Sequence, residues 1–165
     1  MGFVEEGKKT EVKFAKDFAK NYNIPTSDII FATPYEDMYE HFDVAVRRRS
    51  GIHKFDVKGL RKINRWDSAI NPDVCYLEFV NVNGDDGWPY GKSNFIAFEQ
   101  LHTWIVVMRE SLVDYIEYKV NDTTIYDYKE PYKLYSRYER KDVITLAYIK
   151  DIKNSIFFRE INKKN

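Results

Sequence analysis

Two short apolar segments, residues 42–46 and 55–59, each contain one carboxylate, and the second also contains a lysine. Side chains alternate between the two faces of a strand, so Asp56 and Lys58 are predicted to point the same way while their apolar neighbours point into a core. Asp43 holds the equivalent place in the first segment. Two acids and a lysine at one sheet are costly to bury unless something offsets their charges. A divalent metal ion beside a phosphate would do so.

Glu11 is the fourth member of this candidate set. Apolar residues recur at helical spacing between residues 5 and 22, and the segment 23–25 ends the predicted helix at a proline. Glu11 lies three residues before Phe14 and seven before Phe18, which predicts a place on the buried stripe of this helix. The apolar residues of the helix are Val12, Phe14, Ala15, Phe18 and Ala19.

The chemistry that suits these side chains is hydrolysis of a phosphodiester, which needs a metal at the phosphate, an activated water and a stabilised leaving oxygen. Mg²⁺ prefers few carboxylates and several waters, and Asp43 and Asp56 on neighbouring strands would supply such a pair. The backbone carbonyl of Val57 would add a third oxygen. Lys58 would orient or activate the attacking water, and Glu11 would bind a second metal or a metal-bound water.

This pattern resembles the PD-(D/E)XK nuclease superfamily, which places a helix glutamate, a strand aspartate and an acid-x-lysine strand in this chain order. The resemblance implies that Glu11 is the helix glutamate and Asp43 the metal-bridging aspartate. It implies that Asp56 is the second metal ligand and Lys58 the catalytic lysine. The spacing of thirteen residues between the two aspartates suits two strands joined by a hairpin.

The resemblance covers about residues 5 to 60, and Phe42 stands where a proline sometimes precedes the first aspartate. It implies a Mg²⁺-dependent endonuclease acting on DNA, with Mn²⁺ as a substitute and with a homodimer as one arrangement. The compact size and early helix glutamate are similar to Holliday-junction-resolvase and phage-type nucleases, which implies branched DNA as one substrate and a phage or mobile-element origin. Two alternatives stay open: a non-catalytic module on the same fold that binds nucleic acid or protein, and a nuclease for RNA.

The order of predicted elements is helix, antiparallel strands, helix, strand. It predicts an α/β (α+β) fold with a central mixed sheet flanked by helices and a restriction-endonuclease-like core. The 165 residues contain no repeat or linker, so one nuclease-like domain over residues 1–165 is expected. The predicted strands cover residues 29–32, 42–47, 54–60, 76–82, 94–99, 103–107 and 142–149, the second helix covers 111–119, and a loop or short helix covers 33–39.

Basic residues are concentrated in one segment although the formal net charge is zero. From residue 47 to 65 there are eight basic residues and Asp56 is the only acid. Such a local field favours contact with a polyanion, and the alternative is a solvated basic turn. The predicted nucleic-acid contacts are Arg47, Arg48, Arg49, Arg61, Lys62 and Arg65. For the later set Arg137, Arg140 and Lys141, simple exposure to solvent is the favoured interpretation.

Two further features carry weaker signals. Glu78 on the next predicted strand is either an additional metal ligand or an outward-facing side chain. In the glycine-rich segment 83–91, Trp88 and Tyr90 either stack on a base or pack on the core of a hairpin loop. The two acids of that segment, Asp85 and Asp86, favour the packing interpretation because they would repel a phosphate backbone.

Several function classes receive no support. Cys75 is the only cysteine and the three histidines are scattered, so no zinc spacing and no disulfide are expected. A lone thiol indicates a reducing compartment. The first twenty residues have no apolar leader, and no run approaches the length of a membrane span, so a cytoplasmic protein is predicted.

Overall fold

The computed structural model describes the backbone of residues 2–64 and 66–164, with side chains from residue 8 onward. Its contacts group the chain into two compact units. The first unit comprises Met1–Leu60, Lys92–Met108 and Phe158–Asn165, and the second comprises Arg61–Gly91 and Arg109–Phe157. A single domain over residues 1–165 stays a prediction.

Four α-helices and ten strands are formed by the described residues. The helices are α1 (Gly2–Tyr22), α2 (Pro34–Glu40), α3 (Arg109–Lys119) and α4 (Ile149–Ser155). The strands are β1 (Ile29–Phe31), β2 (Val44–Arg48), β3 (Gly51–Lys58), β4 (Val74–Val80), β5 (Phe95–Glu99), β6 (Thr103–Met108), β7 (Ile125–Tyr126), β8 (Leu134–Tyr135), β9 (Val143–Tyr148) and β10 (Phe158–Asn162). Within these residues no helix is both long and apolar enough to cross a bilayer.

The first unit is built on a six-stranded sheet with the order β1-β2-β3-β5-β6-β10. Strands β3 and β5 run parallel, and every other neighbouring pair in this sheet is antiparallel. The sheet is therefore mixed, and the predicted α+β class is confirmed. The restriction-endonuclease-like form of the core stays a prediction.

Helix α1 packs its apolar stripe on one face of this sheet. The rings of Phe14 and Phe18 lie with their centroids 5.3 and 4.9 Å from that of Phe55 on β3, and all three side chains are buried. The predicted stripe is confirmed for these residues, and α1 ends at Tyr22, before the proline. Val12 is exposed, contrary to the prediction. It lies two residues before the buried Phe14, a rotation of about 200° around the helix axis, so the two side chains are on opposite faces.

The second unit contains a four-stranded sheet with the order β4-β9-β8-β7. Helix α3, predicted over residues 111–119, buries Leu112, Tyr115 and Ile116. The division of the strands into two sheets was not predicted. Strand β4 follows β3 in the chain. It pairs with β9 in this second sheet and is not part of the sheet of the first unit.

Candidate active site

The hairpin of β2 and β3 brings the candidate acids together. Its register pairs Val44 with Phe55 at the open end and Arg48 with Gly51 at the turn. The turn is tight because Gly51 adopts a φ of 123°, which other residues rarely adopt. Strand β2 begins at Val44, so Asp43 lies one residue before the strand and not inside it as predicted.

Asp43 is held by three hydrogen bonds. Its backbone N–H donates to the carbonyl of Phe55 at 2.8 Å, and its carbonyl accepts from the N–H of Ala32 at 2.9 Å. Its carboxylate Oδ2 accepts from the backbone N–H of Val57 at 2.6 Å. The Asp43 side chain thus accepts the Val57 N–H, which the backbone of a longer β2 would otherwise accept. For this reason the backbone hydrogen bonds between β2 and β3 end at this point.

Asp56 and Lys58 lie on the same face of β3, as the alternation of strand side chains predicted. The Nζ atom of Lys58 is 2.6 Å from Oδ1 of Asp56, and the Asp56 residue is only 2% exposed. The second carboxylate oxygen, Oδ2, is buried and has no hydrogen-bond partner among the described residues. A buried carboxylate oxygen without a donor is unfavourable unless a cation or a proton reaches it.

The two aspartates act on each other's pKa in opposite directions: Asp56 raises the pKa of Asp43, whereas a hydrogen bond with the Asp43 carboxyl lowers that of Asp56. Burial, and then the negative charge of Asp56, raises the pKa of Asp43 from 3.8 to about 7, although Lys58 and the Val57 amide act against the shift. Burial also raises the pKa of Asp56, and Lys58 again opposes this. The pair is therefore short of positive charge, which is the condition under which a site gains from binding a cation.

Glu11 stands near this pair without a direct hydrogen bond to it. Burial, and then the charge of Asp43, raises the pKa of Glu11 to about 7. The preceding residue, Thr10, packs on the chain just after β3: a Cβ added at Gly59 would lie 3.3 Å from Cγ2 of Thr10. Helix α1 thus approaches the end of the strand that carries Lys58, and this approach requires a small residue at position 59.

The arrangement fits an Mg²⁺ ion that retains much of its water shell. The carboxyl groups of Asp43 and Asp56 lie within hydrogen-bonding reach of each other. The carbonyl of Val57 projects from the same strand edge as its N–H, toward Asp43. Across the described part of the chain, no three Asp, Glu, His or Cys side chains form a group able to hold a metal ion by themselves. Two carboxylates, one carbonyl and waters are a set that Mg²⁺ accepts.

Asp37 in α2 and His41 at the C-terminus of α2 contribute to the electrostatics of the site. Neither was predicted from the sequence to belong to it. The negative charge of Asp37 contributes to the raised pKa of Glu11 and of Asp56. Burial, and then the charge of Lys58, lowers the pKa of His41, which caps the helix with a φ of 52°. The run of acids just before Asp43 was the available signal for them.

The basic residues of the hairpin lie away from the carboxylates. Arg47 is 3.8 Å from Asp28, and the Arg48 guanidinium is 5.6 Å from the centre of the Tyr22 ring. Arg49 is exposed in the turn. At about 3.3 Å per strand residue, these three positions are about 13 to 20 Å along the chain from Asp43. Contact with nucleic acid stays a prediction for them, at the turn end of the hairpin.

The other predicted contacts lie in the second unit. Arg61 and Lys62 are exposed, and Arg65 lies outside the described residues. Glu78 is on β4, in the four-stranded sheet, with its Oε1 3.7 Å from Nη2 of Arg137. Its role as an additional ligand stays a prediction.

The glycine-rich segment 83–91 packs inward. Trp88 is 8% exposed, and the Tyr90 hydroxyl donates to Glu117 at 3.0 Å. A Cβ at Gly87 would lie 1.6 Å from the carbonyl oxygen of Glu78, so only glycine allows this close approach to β4. Of the two interpretations, the structure favours packing over a stacking role for these aromatic residues.

Comparison with family models, with curated proteins and with solved structures found no match for this chain.

Proposed function

We propose that this protein is a Mg²⁺-dependent nuclease of the PD-(D/E)XK type that hydrolyses phosphodiester bonds of DNA as an endonuclease. The observation that carries the proposal is the buried Asp56 carboxylate, with one oxygen on Lys58 and the other without a partner, beside the raised-pKa carboxyl of Asp43. A cation and a phosphate together would satisfy this set of charges.

Each residue of the site has a role in this proposal. Asp43, Asp56 and the carbonyl of Val57 would hold the metal, and Glu11 would orient a water at its edge. When bound, Mg²⁺ supplies charge neutralisation at the scissile phosphate and lowers the pKa of a water molecule. Lys58, fixed by Asp56, presents its ammonium group where it orients the attacking water and offsets the charge that develops on the phosphate.

The chain order of the site supports the same class. A helix glutamate, an aspartate at the start of one strand and an acid-x-lysine strand follow each other as in the superfamily that this chain resembles. Cys75 is buried, and burial raises its pKa to about 12, so it is an inert thiol suited to a reducing compartment such as the cytoplasm. A homodimer would place two such sites on one branched substrate.

The test is a cleavage panel of single-stranded, duplex and branched DNA and of RNA, with Mg²⁺ or with EDTA. Wild-type protein should cut DNA only with the metal, and Asp56→Ala and Lys58→Ala should abolish cutting. The matched control is Asp114→Ala, which removes an exposed aspartate from α3 and should leave activity unchanged. Full Mg²⁺-dependent cutting by Asp56→Ala would refute the assignment.

The same panel separates the alternatives that the sequence left open. Cutting of RNA alone would change the proposed substrate from DNA to RNA and leave the proposed active site unchanged. Binding without cutting, together with no heat signal on titration with Mn²⁺, would favour the non-catalytic module.

A further inference from the structure

Trp66 is the most exposed large hydrophobic side chain of the described residues. It is 90% exposed, whereas the other two tryptophans, Trp88 and Trp104, are 8% and 0% exposed. A tryptophan side chain ordinarily buries about 150–250 Å² and contributes strongly to a core or an interface. A wholly exposed indole is therefore available to a binding partner.

The backbone on both sides of Trp66 is anchored. The turn that presents it is closed by the Asp67 N–H, which donates to the Asn64 carbonyl at 3.2 Å. Before the turn, the Ile63 carbonyl accepts from the Lys129 ammonium at 3.0 Å and from the Tyr76 hydroxyl. Ile63, Asn64 and Asp67, on either side of the indole, are thus held by hydrogen bonds.

The same segment carries positive charge. Arg61 and Lys62 are exposed. The Arg61 carbonyl accepts from the Asn71 N–H at 3.0 Å, and the Lys62 carbonyl shares the single hydroxyl proton of Tyr76 with the Ile63 carbonyl. The acid of the turn, Asp67, accepts the Asn64 N–H at 2.7 Å, so its charge is partly engaged within the turn. Trp66 follows Arg61 by five residues and Lys62 by four. An exposed aromatic ring in the same segment as exposed cations is a combination that binds a nucleic-acid strand, with the ring on a base and the cations on phosphates.

We propose that Trp66, Arg61 and Lys62 form a stacking surface for an unpaired nucleotide, so that the substrate is single-stranded or contains unpaired bases. In a duplex both faces of a base are covered by its neighbours, and a side chain on an exposed turn stacks only on a base whose face is open. A protein partner fits less well, because the exposed charges of Arg61 and Lys62 are positive and the acid Asp67 is partly engaged within the turn. This inference rests on the proposed nucleic-acid function and specifies its substrate.

The experiment uses the fluorescence of Trp66 in the full chain, in EDTA so that no cutting occurs. Oligothymidylate should quench the emission of the exposed indole, while the two buried tryptophans provide a constant background. Trp66→Ala should weaken binding of the single strand by about 5- to 150-fold, the range found for loss of one stacked base. Trp66→Phe should retain most of the affinity, because its ring still stacks.

The controls isolate stacking from charge. Tyr138→Ala removes an aromatic side chain of the second unit that is 89% exposed, and it should bind like the wild type. A blunt duplex should bind wild type and Trp66→Ala equally, because only the cations contact it. Arg61→Ala with Lys62→Ala should weaken binding to both and reduce its dependence on salt.

Several results would overturn the stacking surface: no binding of the single strand, equal binding by Trp66→Ala, or equal losses for single strand and duplex. Self-association that disappears in Trp66→Ala, without an effect of oligonucleotide, would assign the residue to a protein contact instead. Trp66-dependent binding without cleavage of any substrate would keep this inference and remove the nuclease. Cleavage, together with binding that does not depend on Trp66, would keep the nuclease and remove the stacking surface.

Discussion

The backbone N–H of Val57 donates a 2.6 Å hydrogen bond to Oδ2 of Asp43. This bond joins the residue before β2 to the residue between Asp56 and Lys58, and it sets the two carboxylates of the candidate site side by side. Burial, and then the charge of Asp56, raises the pKa of Asp43 to about 7, although the bond from Val57 acts against this shift. The fold thus holds a pair of acids that it disfavours in the charged form.

The first prediction separates the hydrogen bond of Asp43 from its charge. Asp43→Asn keeps an oxygen that accepts from Val57, so the fold should survive while cleavage is lost. Asp43→Ala leaves the Val57 N–H without its acceptor and should lower the free energy of unfolding by about 1–3 kcal/mol. Urea unfolding and cleavage of the same two proteins distinguish them. Equal stability of the alanine and asparagine variants would contradict this role of the bond.

The second prediction concerns stability and pH. The pKa of Asp43 is about 7 in the folded protein and 3.8 in its ordinary state, so between these values the folded protein keeps a proton that the unfolded chain releases. The free energy of unfolding should therefore fall as pH rises from about 4 to 7, by up to about 1.36 kcal/mol per pH unit. Thermal unfolding at a series of pH values in EDTA measures this slope.

The control for this pH dependence is Asp43→Asn, which has no proton to release and should make the slope shallower. The raised pKa of Glu11, about 7, contributes a remaining slope in the same direction. Added Mg²⁺ should raise the melting temperature of the wild type more at pH 8 than at pH 5, because only the ionised pair binds it. A free energy of unfolding that rises with pH in the wild type over this interval would contradict a raised pKa for Asp43.

The third prediction concerns the ion pair of Lys58 and Asp56. Lys58→Met leaves the buried Asp56 carboxylate without its cation and should cost about 1–3 kcal/mol, less than a fully buried pair because the lysine side chain is 30% exposed. Adding Asp56→Asn should recover part of this loss, because it removes the uncompensated charge. Chemical unfolding of the single and double variants gives the coupling.

The matched control is Lys92→Met, which removes an exposed lysine 3.5 Å from Glu40. Exposed pairs contribute about 0–1 kcal/mol, so this variant should unfold almost as the wild type does. A loss at Lys92 as large as that at Lys58 would mean that burial of Asp56 is not the cause.

The fourth prediction concerns Asp17, a buried acid of α1 that the sequence did not single out. Its Oδ2 accepts from the Trp104 indole N–H at 2.9 Å, and its Oδ1 accepts from the backbone N–H of Lys164 at 2.9 Å. Asp17→Ala should lower stability by about 2–3 kcal/mol, because a buried donor loses its acceptor. Asp114→Ala should change it by less than about 0.5 kcal/mol. Near-equal stability of the two variants in urea would contradict the structural role of Asp17.

Local pattern was sufficient to predict much of the secondary structure that carries the candidate residues. The helical spacing of Phe14 and Phe18 set the buried stripe of α1, and strand alternation put Asp56 and Lys58 on one face, because both periods depend only on near neighbours in the chain. The hairpin followed from a turn at Gly51 between two apolar runs. The acids were placed side by side by the register of that hairpin, which its short turn restricts.

Features that depend on distant residues were decided by tertiary structure alone. The pairing of β4 with β9 joins segments far apart in the chain, and strand propensity does not name a partner. The sequence determined that a helix and a strand hairpin carry the candidate acids and lysine, although not the residues at which β2 and β3 begin and end. Exposure and charge coupling were decided by tertiary structure, because both depend on every element packed around a residue. The fold buries Trp88 and leaves Trp66 exposed. It also brings Asp37 close enough to raise the pKa of Glu11, which burial raises most.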